Sequence, residues 1–392
     1  MTERVFLHVG GPKTGTTYLQ DVMLGNREIL AQQGVWYVGT RWIDHVHASL
    51  VVREHRRLRS LDDEAAGAWD RFVAEALGFD GRTAVISHET LGVATADQAS
   101  RAITSLAPAE VHVIFNARDF VSQVAATWQE HLKYRFATPM SSWNPEKTSG
   151  AHAEWSFLAI DPVGVLDRWG RDLPPERVHL LTVPPSGSAA DELWRRFAGI
   201  VGIDPASCDL SVARPNASLG VVEAELLRRV NAHLGPPITG AQEVARWIRG
   251  NLVGRVLGPR KGRRFGLGDE QAAHLADLAD DRISTLATSG YDIVGDLDDL
   301  RPRPRSPGSV EHPEDVADSE LLAAATESMA ELVLLLRERT IQRDSARATV
   351  RRLRSDEAAP SGDASDPIPA DSNHRSGALG RLREKASRLR RR

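Results

Sequence analysis

Cysteine is almost absent: Cys208 is the only one in 392 residues. An internal disulfide and any cysteine-based metal cluster are excluded, and the scarcity fits a reducing compartment. Long apolar runs are missing too. No stretch reaches the roughly 18–20 apolar residues a membrane-spanning helix needs, and the opening residues to Val9 read as a strand rather than a secretory leader. A cytoplasmic location is therefore expected. Lysine is scarce: of 49 basic residues only Lys13, Lys133, Lys147, Lys261 and Lys385 are lysine, and 44 are arginine. Against that background a lysine marks a position suited to a compact ammonium rather than a planar guanidinium. The chain has no overall basic excess, its net charge being -4, so nucleic-acid binding is not expected. Internal repeats are absent as well. With 41% hydrophobic and 26% charged residues, there is apolar material for one large core or two smaller ones.

Near-continuous apolar runs at Val5–Val9, Val35–Val38, Thr83–Ser87, Val111–Phe115 and Val178–Val183 read as strands buried on both faces. Helical patterns lie between them, the first over Thr16–Gln33. The expected fold is α/β, a P-loop-like doubly wound parallel sheet flanked by helices, with a C-terminal helical extension and a basic tail. Phe136–Trp155 has no clear period and reads as a long surface loop or lid. The segment through His45 and His47 reads as loop, then helix. Four spans follow: an α/β domain over 1–305, a proline-rich linker over 306–318, a helix over 319–354, and a disordered segment with a basic tail over 355–392.

The most specific feature is Gly10-Gly11-Pro12-Lys13-Thr14-Gly15-Thr16-Thr17, between a buried strand and a helix start. Such glycines turn backbone amides toward an anion, the helix N-terminus adds partial positive charge, and lysine and threonine supply further donors. A phosphate suits this geometry. A P-loop NTPase places its lysine after the last glycine and a Ser or Thr next to it for magnesium; here the lysine precedes Gly15 by two positions.

The order Pro12-Lys13-Thr14-Gly15-Thr16-Thr17-Tyr18-Leu19-Gln20 resembles the 5'-phosphosulfate loop of the sulfotransferase superfamily. Arg214–Leu219 and Gly290–Leu297 have the look of its bacterial members, which extends the resemblance over about residues 1–305. The resemblance implies a co-substrate, 3'-phosphoadenylyl sulfate (PAPS), with no metal required. Lys13 would contact the bridging oxygen of the leaving group, while Gly11, Pro12, Thr14, Gly15, Thr16 and Thr17 hold the 5'-phosphate. Arg118, after the strand Val111–Phe115, would grip the 3'-phosphate. The family's helper serine falls eight positions later, where this chain has Ala126; Ser122 or Thr127 is the substitute. Arg260-Lys261-Gly262 either folds over the 3'-phosphate, as the resemblance implies, or is a chance tripeptide in basic surroundings.

Transfer also needs a base for the acceptor. His88 and Glu89 emerge from Thr83–Ser87 at the sheet edge where Lys13 and Arg118 emerge, and either can be the base with the other orienting it. His45 and His47 are the alternative location. Glu130 and His131 read as a wall of the acceptor site or a solvated face. The expected activity is sulfuryl transfer to a hydroxyl or amine of an acceptor such as a carbohydrate, glycolipid or small metabolite. Its rivals are a P-loop-type kinase and an inactive nucleotide-binding assembly protein. Leu322, Met329 and Leu336, seven residues apart, suggest self-association of the 319–354 helix. The tail from His374 carries eight Arg or Lys against Glu384; it reads as a solvated end, or as contacting an anionic membrane or acidic polymer through Leu379, Leu382, Ala386 and Leu389.

Overall fold

The structure is a computed structural model that describes residues 2–147, 150–213, 218–238, 240–260, 262–303 and 310–358. Lys261, Arg214–Ala217 and the tail beyond 358 lie outside the described residues. Two compact units divide the chain, Met1–Val333 and Leu334–Arg392.

In the first unit six parallel strands form one sheet: β1 (Arg4–His8), β2 (Val35–Tyr37), β3 (Thr83–Ser87), β4 (Glu110–Ala117), β5 (Val178–Thr182) and β6 (Asp292–Val294), in the order β2-β3-β1-β4-β5-β6. Alternating side chains along each strand serve opposite faces. Val5, Leu7, Ile86, Val113 and Phe115 pack one face against helices that include Trp42–Val52 and Pro162–Gly170. Phe6, Val85, Ile114 and Leu181 pack the other against Thr16–Gly25 and Glu192–Val201. Helices on both faces make this a doubly wound α/β fold. The chain leaves β1, builds β2 and β3 on one side, then crosses to β4 on the other. The loop after β1 therefore opens at the switch point, where such sheets form a crevice.

Four helices matter below: α1 (Thr16–Gly25), α2 (Trp42–Val52), α3 (Phe120–Lys133) and α4 (Asp318–Ala358). The expected helix 16–33 breaks at Asn26. Its side chain donates to Val22 O (2.8 Å) and Asp209 O (2.8 Å) and accepts from Asp209 N (2.7 Å), which latches a remote segment into the helix. A second, separate helix then covers Arg27–Gln32. His45 and His47 lie on α2, not on a loop. The short β6, only three residues long, is an edge strand beyond the five apolar runs read as strands in the sequence.

Phe136–Trp155 is not the surface loop its composition suggests, since Met140 and Trp143 are buried in a second, helical core around α3. Residues 310–316, expected to be linker, are docked: Glu314 accepts from Ser141 N and Oγ, each at 2.9 Å, and Pro313 and Val316 are buried. Leu321 and Ala324 of α4 join the same core. In the second unit, α4 continues to Ala358.

At the N-terminal ends of β4, β5 and β6, four side chains form a continuous hydrogen-bonded line. His112 bonds Glu110 (2.9 Å) and His179 (2.8 Å), and His179 bonds Asp292 (2.6 Å). Phe6 stacks on His112 beneath them.

Candidate anion site at the sheet switch point

The loop between β1 and α1 is held from behind. Gln123 Nε2 of α3 donates to Pro12 O (2.8 Å), Asn116 Nδ2 of β4 to Thr14 O (3.5 Å), and Arg118 Nη1 to Lys13 O (3.2 Å). Thr14 donates its hydroxyl to Gly11 O (2.6 Å), so that side chain braces the loop and does not face outward. Three neighbours of the loop thus bond its carbonyls and leave its amides. Among the described residues, the backbone N–H groups from Lys13 to Tyr18 donate to nothing. The first N–H groups of a helix have no partner within it, and here the preceding turn adds more. Gly15, the residue before α1, has a left-handed φ of 85°, and a Cβ there would run into Leu193. Lys13 itself has φ 64°, an unusual conformation for a residue with a side chain. The Thr16 and Thr17 hydroxyls make no hydrogen bond among the described residues. Together these groups form a cluster of unmatched donors at a helix N-terminus, the physical requirement for holding an anion.

Lys13 points into an ionic cluster on α3. Its Nζ lies 3.1 Å from Glu130 Oε2, Lys133 Nζ lies 3.3 Å from the same oxygen, and Arg249 Nη2 lies 3.1 Å from Oε1. Burial disfavours the Glu130 carboxylate, but Lys13, Lys133 and Arg249 outweigh it and hold the group at about 2. Glu130 is neither a solvated face nor a plain wall; it is the counter-ion of the lysine in the loop. Arg249 also lies over the Tyr134 ring, 4.6 Å from its centroid.

Opposite this cluster, β3 delivers His88 and Glu89. A Cβ on Gly10, whose φ is 51°, would come within 3.3 Å of Glu89 Cα, so the acid sits directly against the start of the loop. Gln20 of α1 reaches Glu89 Oε2 (3.5 Å) and the Ser87 carbonyl (3.3 Å). His88 is buried. Its Nδ1 bonds Thr90 Oγ1 (2.8 Å), which in turn meets Ser49 Oγ, while its Nε2 has no partner among the described residues. Burial pushes the His88 imidazole down, against the opposing pull of Glu89. His45 is enclosed between Tyr37 (stacked, 4.8 Å) and Phe72 (edge-on, 4.9 Å), and burial carries it down to about 3. His47 is half-buried on α2 and makes no hydrogen bond among the described residues.

The remaining residues divide. Arg118 sits at the end of β4 beside the loop, with Asp119 3.9 Å away. Asp119 caps α3 by accepting from Ser122 N (2.8 Å), and the half-buried Ser122 hydroxyl makes no hydrogen bond among the described residues. Thr127 is buried and donates to Val124 O (2.9 Å) within its own helix, so its hydroxyl is already engaged. Arg260 is surrounded by carboxylates: Glu223 (3.4 Å), Glu331 (3.7 Å) and, closer still, Glu327. Gly262 packs against Gly220 and Glu223. No described hydrogen bond or ion pair joins Arg260 or Gly262 to the loop.

Several residues that build this site carry no local signal. Gln123, Asn116 and Arg249 meet the loop or Glu130 only through the fold. Lys133, one of five lysines, placed three residues after Glu130, is the exception a sequence could have offered.

No family model matches the chain, and no curated protein matches it. Among solved structures the chain is similar to one described as a sulfotransferase from Alicyclobacillus acidocaldarius, with a TM-score of 0.34 and 13% identity over 65% of this chain and 99% of that one. So distant a likeness adds nothing to the reading of the site.

Proposed function

We propose that the protein transfers a sulfuryl group from PAPS to a hydroxyl or amine of an acceptor. One observation carries the reading: a loop of unmatched amides ahead of α1, with Lys13 beside it and a carboxylic acid, Glu89, across the opening. Phosphate oxygens suit the amides of Lys13–Tyr18 and the hydroxyls of Thr16 and Thr17, with Gly11, Pro12 and Thr14 shaping the loop behind them. Lys13 neutralises charge that develops on the departing phosphate. Arg118, with Ser122 one turn into α3, takes the nucleotide's 3'-phosphate through paired charged hydrogen bonds. Arg260 and Gly262 have no part in this reading, their surroundings being acidic.

Glu89 is the better base, since it is half-exposed against the loop while the His88 imidazole is buried and fixed by Thr90. It accepts the acceptor's proton as the oxygen or nitrogen attacks sulfur and the bond from sulfur to the bridging oxygen breaks.

The test is transfer of label from PAPS into a total extract of the source organism, with calorimetric titration of adenosine 3',5'-diphosphate alongside. Labelled product that disappears with Lys13→Ala supports the proposal. Magnesium-dependent turnover of ATP, with no binding of the diphosphate, identifies a kinase instead. Diphosphate binding with no product from a broad acceptor panel identifies a nucleotide-binding protein without catalysis.

A further inference from the structure

Outside α4, six large apolar side chains stay exposed among the described residues, and four of them surround the opening between Glu89 and Lys13. Trp42, 51% exposed, starts α2 just past the end of β2, and its ring lies 6.1 Å from that of His88, the residue before Glu89. Ile43 stands beside it, also exposed. Leu158, 46% exposed, lies on the short helix Phe157–Ile160. Arg168 ties that helix to the turn that starts at Glu89, by donating to the carbonyls of Gly92 (2.7 Å) and Leu158. Tyr134 follows α3 on the other side of the loop and packs on Trp155, ring centroids 5.4 Å apart. Burial pushes its hydroxyl up, with Arg249 bonding it and the Glu130 and Glu89 carboxylates close enough to add to the rise. The other two exposed side chains are Leu61 and Trp247.

Single exposed apolar residues are ordinary on a protein surface. Their gathering around one opening marks a contact surface. What covers this rim is limited by what lies inside it. The occupant must bring a hydroxyl or amine to Glu89, so its polar end sits at the centre and its remainder at the edge. A saccharide could stack C–H groups on Trp42 or Tyr134, but its outer hydroxyls would meet Ile43 and Leu158. Those side chains offer no hydrogen bond, and covering an unpaired hydroxyl costs free energy. An alkyl chain loses nothing there and takes four apolar side chains out of water.

We infer that the acceptor is an amphiphile, its hydroxyl or amine head beside Glu89 and its hydrocarbon chain on the rim formed by Trp42, Ile43, Tyr134 and Leu158. The inference rests on the transfer reading of the same site and adds the class of acceptor. Trp42 and Tyr134, each an apolar ring with one polar atom, suit the boundary between head and chain.

Two measurements test it. Calorimetry with maltose, octyl maltoside and dodecyl maltoside, each below the concentration at which it forms micelles, reads the rim without turnover. Dodecyl maltoside is expected to bind about tenfold more tightly than octyl maltoside, and Trp42→Ser with Leu158→Ser to weaken it about tenfold. Leu322→Ser with Met329→Ser, two exposed apolar positions of α4, is expected to leave it unchanged. Affinity that ignores chain length, or that falls only in the α4 variant, overturns the inference. In the extract labelled from PAPS, the product is expected to be retained on a reversed-phase column. Label confined to water-soluble saccharide overturns the inference and leaves the transfer reading intact. Binding of adenosine 3',5'-diphosphate separates the two readings. The rim variant is expected to bind it like the wild type, whereas a wild type that does not bind it sinks the transfer reading and this inference with it.

Discussion

The two ends of the same sheet treat their polar groups in opposite ways. At the N-terminal ends of β4–β6, Glu110, His112, His179 and Asp292 are matched to one another in an unbroken line. At the other end, after β1, amides from Lys13 to Tyr18 and the hydroxyls of Thr16 and Thr17 are left without partners, and Lys13 leans on a buried carboxylate. Matched groups stabilise, whereas unmatched donors held rigid by Gln123, Asn116 and Arg118 are stabilised only when an anion arrives. Under the proposed function, this contrast puts the chemistry at one end of the sheet.

The sharpest way to break this contrast is Lys13→Ala, which removes the ammonium at the unmatched end. Transfer from labelled PAPS is expected to fall about a thousandfold, in line with loss of a group that stabilises developing charge; unchanged turnover would remove the loop from the chemistry. Glu89→Gln comes next, with turnover down about a hundredfold and nucleotide affinity unchanged, as calorimetry beside a rate assay can separate.

Glu130→Gln sharpens the comparison from the other side. It frees Lys13 from its counter-ion and removes the carboxylate that buried Lys133 and half-exposed Arg249 also meet, so unfolding free energy is expected to drop about 3 kcal/mol while affinity for adenosine 3',5'-diphosphate rises about tenfold. Denaturant melts and titration read the two separately. Wild-type Glu130, held near 2, supports folding above the usual carboxylate range and loses that support as pH falls toward 2.

The smallest effect is a histidine one. His8 and His45 are carried by burial to about 4 and about 3. Both stay neutral in the folded chain while the unfolded chain takes up protons below about 6.5, so stability is lost as pH falls from that point toward the folded values. His45→Phe is expected to recover about 2 kcal/mol at pH 5 relative to its own effect at pH 7, measured by urea midpoints. No difference between the two pH values would mean His45 is wetter than its Tyr37 and Phe72 contacts imply.

The loop and the buried strands β1 to β5 were legible in the sequence because each is local: five apolar residues in a row, or glycines next to a lysine, carry their meaning without the rest of the chain. The sheet edge that joins Lys13, Arg118 and Glu89 followed from strand ends alone. What could not be read depends on distant partners. Arg249 lies 119 residues from Glu130, and apart from Lys133 nothing near Glu130 signals that three cations converge there. Arg260 looks like a phosphate ligand until Glu223, Glu327 and Glu331 surround it. Phe136–Trp155 has no period because its buried members, Met140 and Trp143, fill gaps in a helical core and do not line one face of an element. The break at Asn26 needs Asp209, far along the chain.

The ion pair between Lys13 and Glu130 makes the loop behave like an exchanger already loaded with its own counter-ion. Under the proposed function, an incoming phosphate would take the ammonium from a carboxylate of the protein, not from dissolved chloride, so this contact would free no salt ion to the bath. Nucleotide binding should therefore weaken with added salt less steeply than a count of its charged contacts suggests, and Glu130→Gln should restore the missing steepness.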